Sequence, residues 1–177
     1  MKILVLSGSF HSRSKSLLLA AFVKNYLSEH ECELPRLEAL PFYCEDLDRD
    51  KPENVAAFVQ AVASSDALIC ITPEYNHSIP AVLKNALDWA SRPAFQSPLK
   101  DKPVTIISQA EGPVGGARVQ AHLKLVLDAT LTSIFPAHEM MLTAVSKILS
   151  DSGEIRDADT KRRMQRHLDA FVAFSQA

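Results

Sequence analysis

The sequence predicts a three-layer α/β sandwich, one parallel sheet carrying helices on both faces, and three observations lead there. Residues 3–6, 67–71 and 104–107 are short unbroken apolar runs, the form taken by parallel strands buried on both faces. Helical periodicity occupies the stretches between and after them, at 16–28, 52–63, 80–90, 117–130 and 159–174. A chain of 177 residues supports one core that buries about 70% of the unfolded surface, and two full domains do not fit.

Each element follows in order. The first strand is bounded by Ser7-Gly8 and feeds the helix at 16–28. A weaker strand is expected at 32–37. The stretch 44–54, about the length of one functional loop, leads to the helix at 52–63. After the strand at 67–71, Ser78 is the expected cap and Pro80 the first turn of the next helix. The strand at 104–107, the helix at 117–130, a weaker strand at 137–142 and the helix at 159–174 complete the chain. Strand and helix alternate throughout, so the crossovers are right-handed and the sheet parallel. The expected fold is a flavodoxin-like three-layer sandwich with a five-stranded sheet of order 2-1-3-4-5, a single domain over residues 1–177 with no internal repeat.

Composition narrows the function. Nineteen basic against twenty-one acidic residues give a net charge of −2, without the broad positive field that a phosphate backbone requires, so nucleic acid is not expected as a partner. Residues 3–6 are too few for a secretory apolar region and no later run approaches a membrane span, so a cytoplasmic protein without membrane contact is expected. Cys32, Cys44 and Cys70 form no CxxC pair, which indicates neither a disulfide framework nor a zinc site, and they read as buried thiols.

Ligands of open α/β sheets bind outside the carboxyl ends of the strands, at the switch point, so the loops after strands one, three and four matter most. Four of the five glycines, Gly8, Gly112, Gly115 and Gly116, fall in those loops. Glycine there serves either a tight turn or the close approach of a ligand. Residues 7–16 hold five hydroxyls together with His11, Arg13 and Lys15, and they lead into a helix amino terminus. One cap needs one hydroxyl, and the surplus beside free N–H groups and a positive dipole end favours a phosphate. Arg13 occupies the second-glycine position of a Walker A loop and Phe10 that of the dinucleotide fingerprint, so neither a P-loop nor a Rossmann-bound NAD is expected.

The loop after strand three, Thr72-Pro73-Glu74-Tyr75-Asn76-His77-Ser78, offers a ring face and an amide, a pair suited to a flat heteroaromatic ring. The loop after strand four, residues 108–118, reads either as a flexible turn before a helix or as backbone N–H groups placed to approach a ring edge. Trp89 falls at apolar helical spacing with Leu83 and Ala86 and reads as core, Lys84 and Asp88 as a surface pair, His77 as an exposed loop histidine, and the basic run 161–166 as a solvated helix face. Phe42-Tyr43 forms either the lip of a pocket or part of an interface.

Gly8-Ser9 with Ser14-x-Ser16, then Thr72-Pro73-Glu74-Tyr75-Asn76 running on to Leu83-Lys84-Asn85-Ala86-Leu87-Asp88-Trp89, then Gly115-Gly116-Ala117-Arg118, resemble the NADPH-dependent FMN reductase family over residues 1–142. The resemblance implies non-covalently bound FMN, reduced at N5 by NADPH or NADH in ping-pong fashion, with a quinone, azo dye, metal oxyanion or free flavin as acceptor. It implies a homodimer or homotetramer. Carried over by position, Ser9, Ser14 and Ser16, with His11 and Arg13 beside them, hold the FMN phosphate. Pro73, Glu74, Tyr75 and Asn76 follow the ribityl chain and ring, and Ser108, Gly115 and Gly116 line the other side. His11 stands where many members have arginine. No side chain is expected as a catalytic nucleophile or metal ligand, because the flavin carries the chemistry. The alternative reading is a flavodoxin-type electron carrier that binds FMN and turns over no small substrate.

Overall fold

A computed structural model describes residues 1–177. The elements are β1 (Lys2–Ser7), α1 (Lys15–Tyr26), β2 (Glu31–Glu33), α2 (Glu53–Ser64), β3 (Ala67–Pro73), α3 (Ala81–Ala90), β4 (Pro103–Gln109), α4 (Ala117–Ala129), β5 (Ser133–Ile134), β6 (Met140–Leu142), α5 (Val145–Ile148) and α6 (Ala158–Ser175). The strands lie in the order β2-β1-β3-β4-β5, all pairs parallel, and β6 also pairs with β4. The flavodoxin-like order 2-1-3-4-5 is therefore present.

Strand periodicity divides the core in two. Ile3 and Val5 of β1 with Ile69 and Ile71 of β3 face α1 and α6, where Leu19, Val23, Leu168 and Phe171 cover them. Leu4, Leu6, Leu68 and Val104 point to the opposite face, beneath Phe58 of α2, Leu83 and Leu87 of α3, and Leu123 of α4. Both faces of the central strands are dry, as their unbroken apolar runs require.

Both weaker strands are shorter than expected, for one reason. The second covers Glu31–Glu33 and not 32–37: Pro35 brings no N–H, and a 3₁₀ turn begins at Leu37. The fifth position of the sheet is filled by two pieces. β5 pairs with Pro103 and Val104, and β6 with residues 107–109 of β4. Pro136, another residue without an N–H, lies between them. The sheet consequently has six strands, one more than the five expected.

Ser78 does not cap α3. Its hydroxyl lies 3.0 Å from Nδ1 of His122, and α3 begins after Pro80 without a side-chain cap. Trp89 is in the core, where its indole N–H donates to the Pro41 carbonyl at 2.8 Å and its ring meets the Tyr43 edge at 5.0 Å. Phe42 beside it is 81% exposed. The cysteines divide: Cys70 is buried, and that burial pushes its thiol up to about 12, whereas Cys32 is half-buried and Cys44 is exposed. Cys44 departs from the expectation because it stands at the start of a surface 3₁₀ turn, Glu45–Leu47. No helix is long and apolar enough to cross a membrane.

Candidate functional site

The three loops expected to matter meet at the carboxyl edge of β1, β3 and β4. The β1–α1 loop is organised by its own hydroxyls. Ser14 is the N-cap of α1 and accepts the Leu17 N–H at 3.2 Å. The Ser9 carbonyl accepts from Ser7 Oγ at 2.8 Å and from Ser14 Oγ at 3.4 Å. Ser16 is fully buried and accepts from Gln109 Nε2 at 3.3 Å. Ser14 and Ser16 therefore shape the loop from behind, while Ser9, His11, Ser12, Arg13 and Lys15 line a cleft of 740 Å³ in front of it. The Arg13 N–H donates to His11 Nδ1 at 3.3 Å, which turns the exposed His11 ring back toward the loop.

Tyr75 stands at the other side of this cleft, 48% exposed, with its hydroxyl 3.5 Å from Ser9 Oγ. It also lines a smaller cleft of 260 Å³ with Phe10, His11, Pro80 and Val82, so its ring borders both spaces. Asn76 and His77, both exposed, form the tip of a tight turn in which Tyr75 and Ser78 exchange backbone hydrogen bonds of 3.1 and 2.9 Å. Both central residues have positive φ, 49° and 65°, as in a type I′ turn.

Glu74 does something the sequence did not signal. Its carboxylate accepts the N–H groups of Arg118 at 3.0 Å and Val119 at 3.2 Å, in the first turn of α4, and lies 3.4 Å from the Arg118 guanidinium and 3.5 Å from His77. The side chain is only 13% exposed. Burial alone would raise its pKa, but the two N–H donors and the Arg118 charge outweigh it and hold the carboxyl below the usual range. Thus α4 starts at Gly116, which has no side chain for capping, and takes its cap from another loop.

The third loop is held from inside. Ser108 is fully buried and donates to the Gly115 carbonyl at 2.8 Å, while the Gln120 amide reaches Ser108 Oγ at 3.2 Å. Gly116 has φ +84°, and a Cβ there would lie 2.9 Å from Ser108 Cβ. A Cβ on Gly8 would likewise run into the Thr72 side chain. These glycines are required first by the packing of the chain against itself.

Of the residues singled out in the sequence, Ser9, His11, Arg13 and Tyr75 meet around the large cleft. Ser14, Ser16, Glu74 and Ser108 turn their side chains to the loops' own hydrogen bonds, Pro73 is buried in β3, and Gly115 and Gly116 are buried in the turn before α4. The cleft also gains Ser12, Lys15, Gln109, Glu111, Ser146 and Asp151. Ser146 and Asp151 come from the far end of the chain, where no local pattern marks them. Ser146 binds Glu111 through its N–H at 3.3 Å, and Lys15 lies 3.7 Å from Asp151. Hydroxyls, a guanidinium and an ammonium line the cleft beside the start of α1, a donor set that fits a phosphate dianion, with Glu111 and Asp151 in the same lining already held by Ser146 and Lys15, and the cleft volume is in the range of cofactor sites.

Residues 1–146 match the model of the NADPH-dependent FMN reductase family. The chain is 37% identical over 175 residues to a 2-hydroxy-1,4-benzoquinone reductase of Burkholderia sp., a match covering 98% of this chain and 96% of that one. It is 36% identical over 146 residues to a quinone reductase of Escherichia coli K12, covering 81% and 77%. Among solved structures, the flavoenzyme NAD(P)H:(acceptor) oxidoreductase FerB of Paracoccus denitrificans superposes with a TM-score of 0.89 at 32% identity, covering 99% of this chain and 97% of that one. The electron-carrier reading is not favoured beside relatives that are reductases of small acceptors.

Proposed function

The chain belongs to the NADPH-dependent FMN reductase family, and from that premise we propose that it reduces quinones with NAD(P)H, using FMN held in the 740 Å³ cleft. When bound, FMN would supply two-electron hydride chemistry, by which NAD(P)H, a proton and a quinone would become NAD(P)⁺ and a hydroquinone. The observation that carries the reading is the donor set at one end of the cleft. Ser9 and Ser12 would offer hydroxyls to the phosphate and Arg13 and Lys15 charge, while Ser14 holds the helix start in place behind them. Tyr75, which lines the cleft beside the turn at Asn76 and His77, would offer its face to the flavin ring.

Glu74 acts at one remove from the ligand. By accepting the Arg118 and Val119 N–H groups it fixes the Tyr75 loop against α4, and it also takes up donors that would otherwise be free at that helix end. The first turn of α4 would therefore leave these two N–H groups unavailable to charge on a bound ring.

The same reading makes the chain a single cytoplasmic domain that assembles as a homodimer or homotetramer. Exposed Phe95, Leu125 and Leu131 line one groove of 380 Å³, apolar surface that a second copy would cover. Azo dyes, metal oxyanions and free flavin are the other acceptors this chemistry admits.

The test is binding of FMN against riboflavin, followed by tryptophan and flavin fluorescence. A clear preference for FMN supports the phosphate end of the cleft, and equal affinity for riboflavin overturns it.

A further inference from the structure

A second cleft, of 670 Å³, runs between α6 and the segment 135–143, away from the loops described above except where Pro113 and Val114 close one end. Its chemistry is mixed. Phe135, Met140, Met141 and Ala170 provide apolar surface, and Arg163 and Arg166, three residues apart on α6, provide two guanidinium groups. Neither guanidinium forms an ion pair with a carboxylate, whereas Arg162, which precedes them, takes up Asp159 on the same side of the helix. Arg163 donates only to the Met141 carbonyl, at 2.9 Å.

The acidic groups nearby are already engaged. Glu139 lines the cleft but is bound by Lys124 at 2.7 Å, and the Asp157 carboxylate caps α6 through the Thr160 N–H at 2.7 Å. His167, also in the lining, is held at 2.7 Å from Thr105 Oγ1 and packs edge-on to Phe135. Burial, and secondly the Arg163 charge, push this imidazole down to about 4, so it is neutral at pH 7. What remains is two guanidinium groups with no direct carboxylate partner beside an apolar lining, Arg163 being offset only at longer range by the capping Asp157.

We propose that this cleft binds a small aromatic carboxylate, with the anionic end between Arg163 and Arg166 and the ring on Phe135 and Met140. A guanidinium accepts a carboxylate through parallel N–H donors, and the apolar floor selects an organic acid over a bare inorganic anion. The inference does not rest on the FMN reading, since the lining is distinct from the phosphate cleft.

The experiment titrates the FMN-loaded protein with benzoate, benzamide or inorganic phosphate and follows the His138 and His167 ring protons and the Met140 and Met141 methyl groups by NMR. Saturable shifts with benzoate, about ten-fold or more weaker with benzamide, support the proposal. The exposed Arg166→Glu variant should bind benzoate about ten-fold or more weakly with an unchanged circular dichroism spectrum, and it leaves the Arg163 bond to Met141 intact. Arg163→Gln should weaken it similarly. Equal response to benzamide, an equal and competing response to phosphate, or no effect of Arg166→Glu overturns the proposal. Shifts of the same signals with protein concentration alone, abolished by Arg166→Glu, make a second copy of the chain the occupant and also overturn it.

Discussion

The Glu74 carboxylate accepts the Val119 N–H at 3.2 Å, joining the loop after β3 to the first turn of α4. Two of the three loops around the cleft are thereby fixed to each other before any ligand arrives, which lowers the ordering cost of binding.

Removing that carboxylate should therefore affect both stability and the site. Glu74→Ala is expected to cost about 1–2 kcal/mol of unfolding free energy at pH 7, the worth of a helix cap, and to weaken FMN further. The carboxyl is held below its ordinary value of 4.5, so its contribution is present above that pH and is lost as pH falls through the depressed value. Urea unfolding at pH 7 and at pH 4 checks this: the gap between wild type and Glu74→Gln should narrow in acid.

Arg13→Ala should weaken FMN by roughly 1.5–3 kcal/mol if its guanidinium makes a charge-assisted bond to the phosphate, and should leave riboflavin affinity unchanged. A parallel loss for both ligands, measured by fluorescence titration, would return Arg13 to a solvated surface charge.

His167 sets a second acid dependence. Its imidazole is pushed from the ordinary 6.5 down to about 4, so the unfolded chain takes up a proton between those values and the folded one does not. Stability should rise with pH across that window, by on the order of 3 kcal/mol in total. His167→Gln, which keeps a polar partner for Thr105, should flatten the curve, and an unflattened curve in denaturant midpoints would assign the dependence elsewhere.

Gly116→Val should destabilise the protein with or without FMN, because φ is +84° and the new Cβ would press on Ser108. Gly112→Ala, with open space around its Cβ, should change the melting temperature little. Comparing the melting of both variants stripped of FMN separates packing within the chain from contact with the cofactor.

The three buried central strands were legible because burial on both faces leaves an unbroken apolar run, and the helices because their buried stripes keep a 3.6 period. The edge strands were not, since Pro35 and Pro136 interrupt pairing that the flanking apolar residues suggest. In the site, the hydroxyl-rich loop announced itself by composition. The division of labour within it did not: whether a serine faces the cleft or its own helix start depends on cap geometry, as Ser9 and Ser14 show. Glu74 capping a helix more than forty residues away, and Ser146 and Asp151 entering the cleft, are long-range pairings that no local pattern encodes.

The most direct measurement is steady-state oxidation of NADPH and of NADH by the purified FMN-loaded protein, with 1,4-benzoquinone as sole acceptor and no partner protein. Turnover with parallel double-reciprocal lines is expected, because one open cleft would serve donor and acceptor in turn. Absence of NAD(P)H oxidation, with electrons accepted only from a separate reductase, would contradict it.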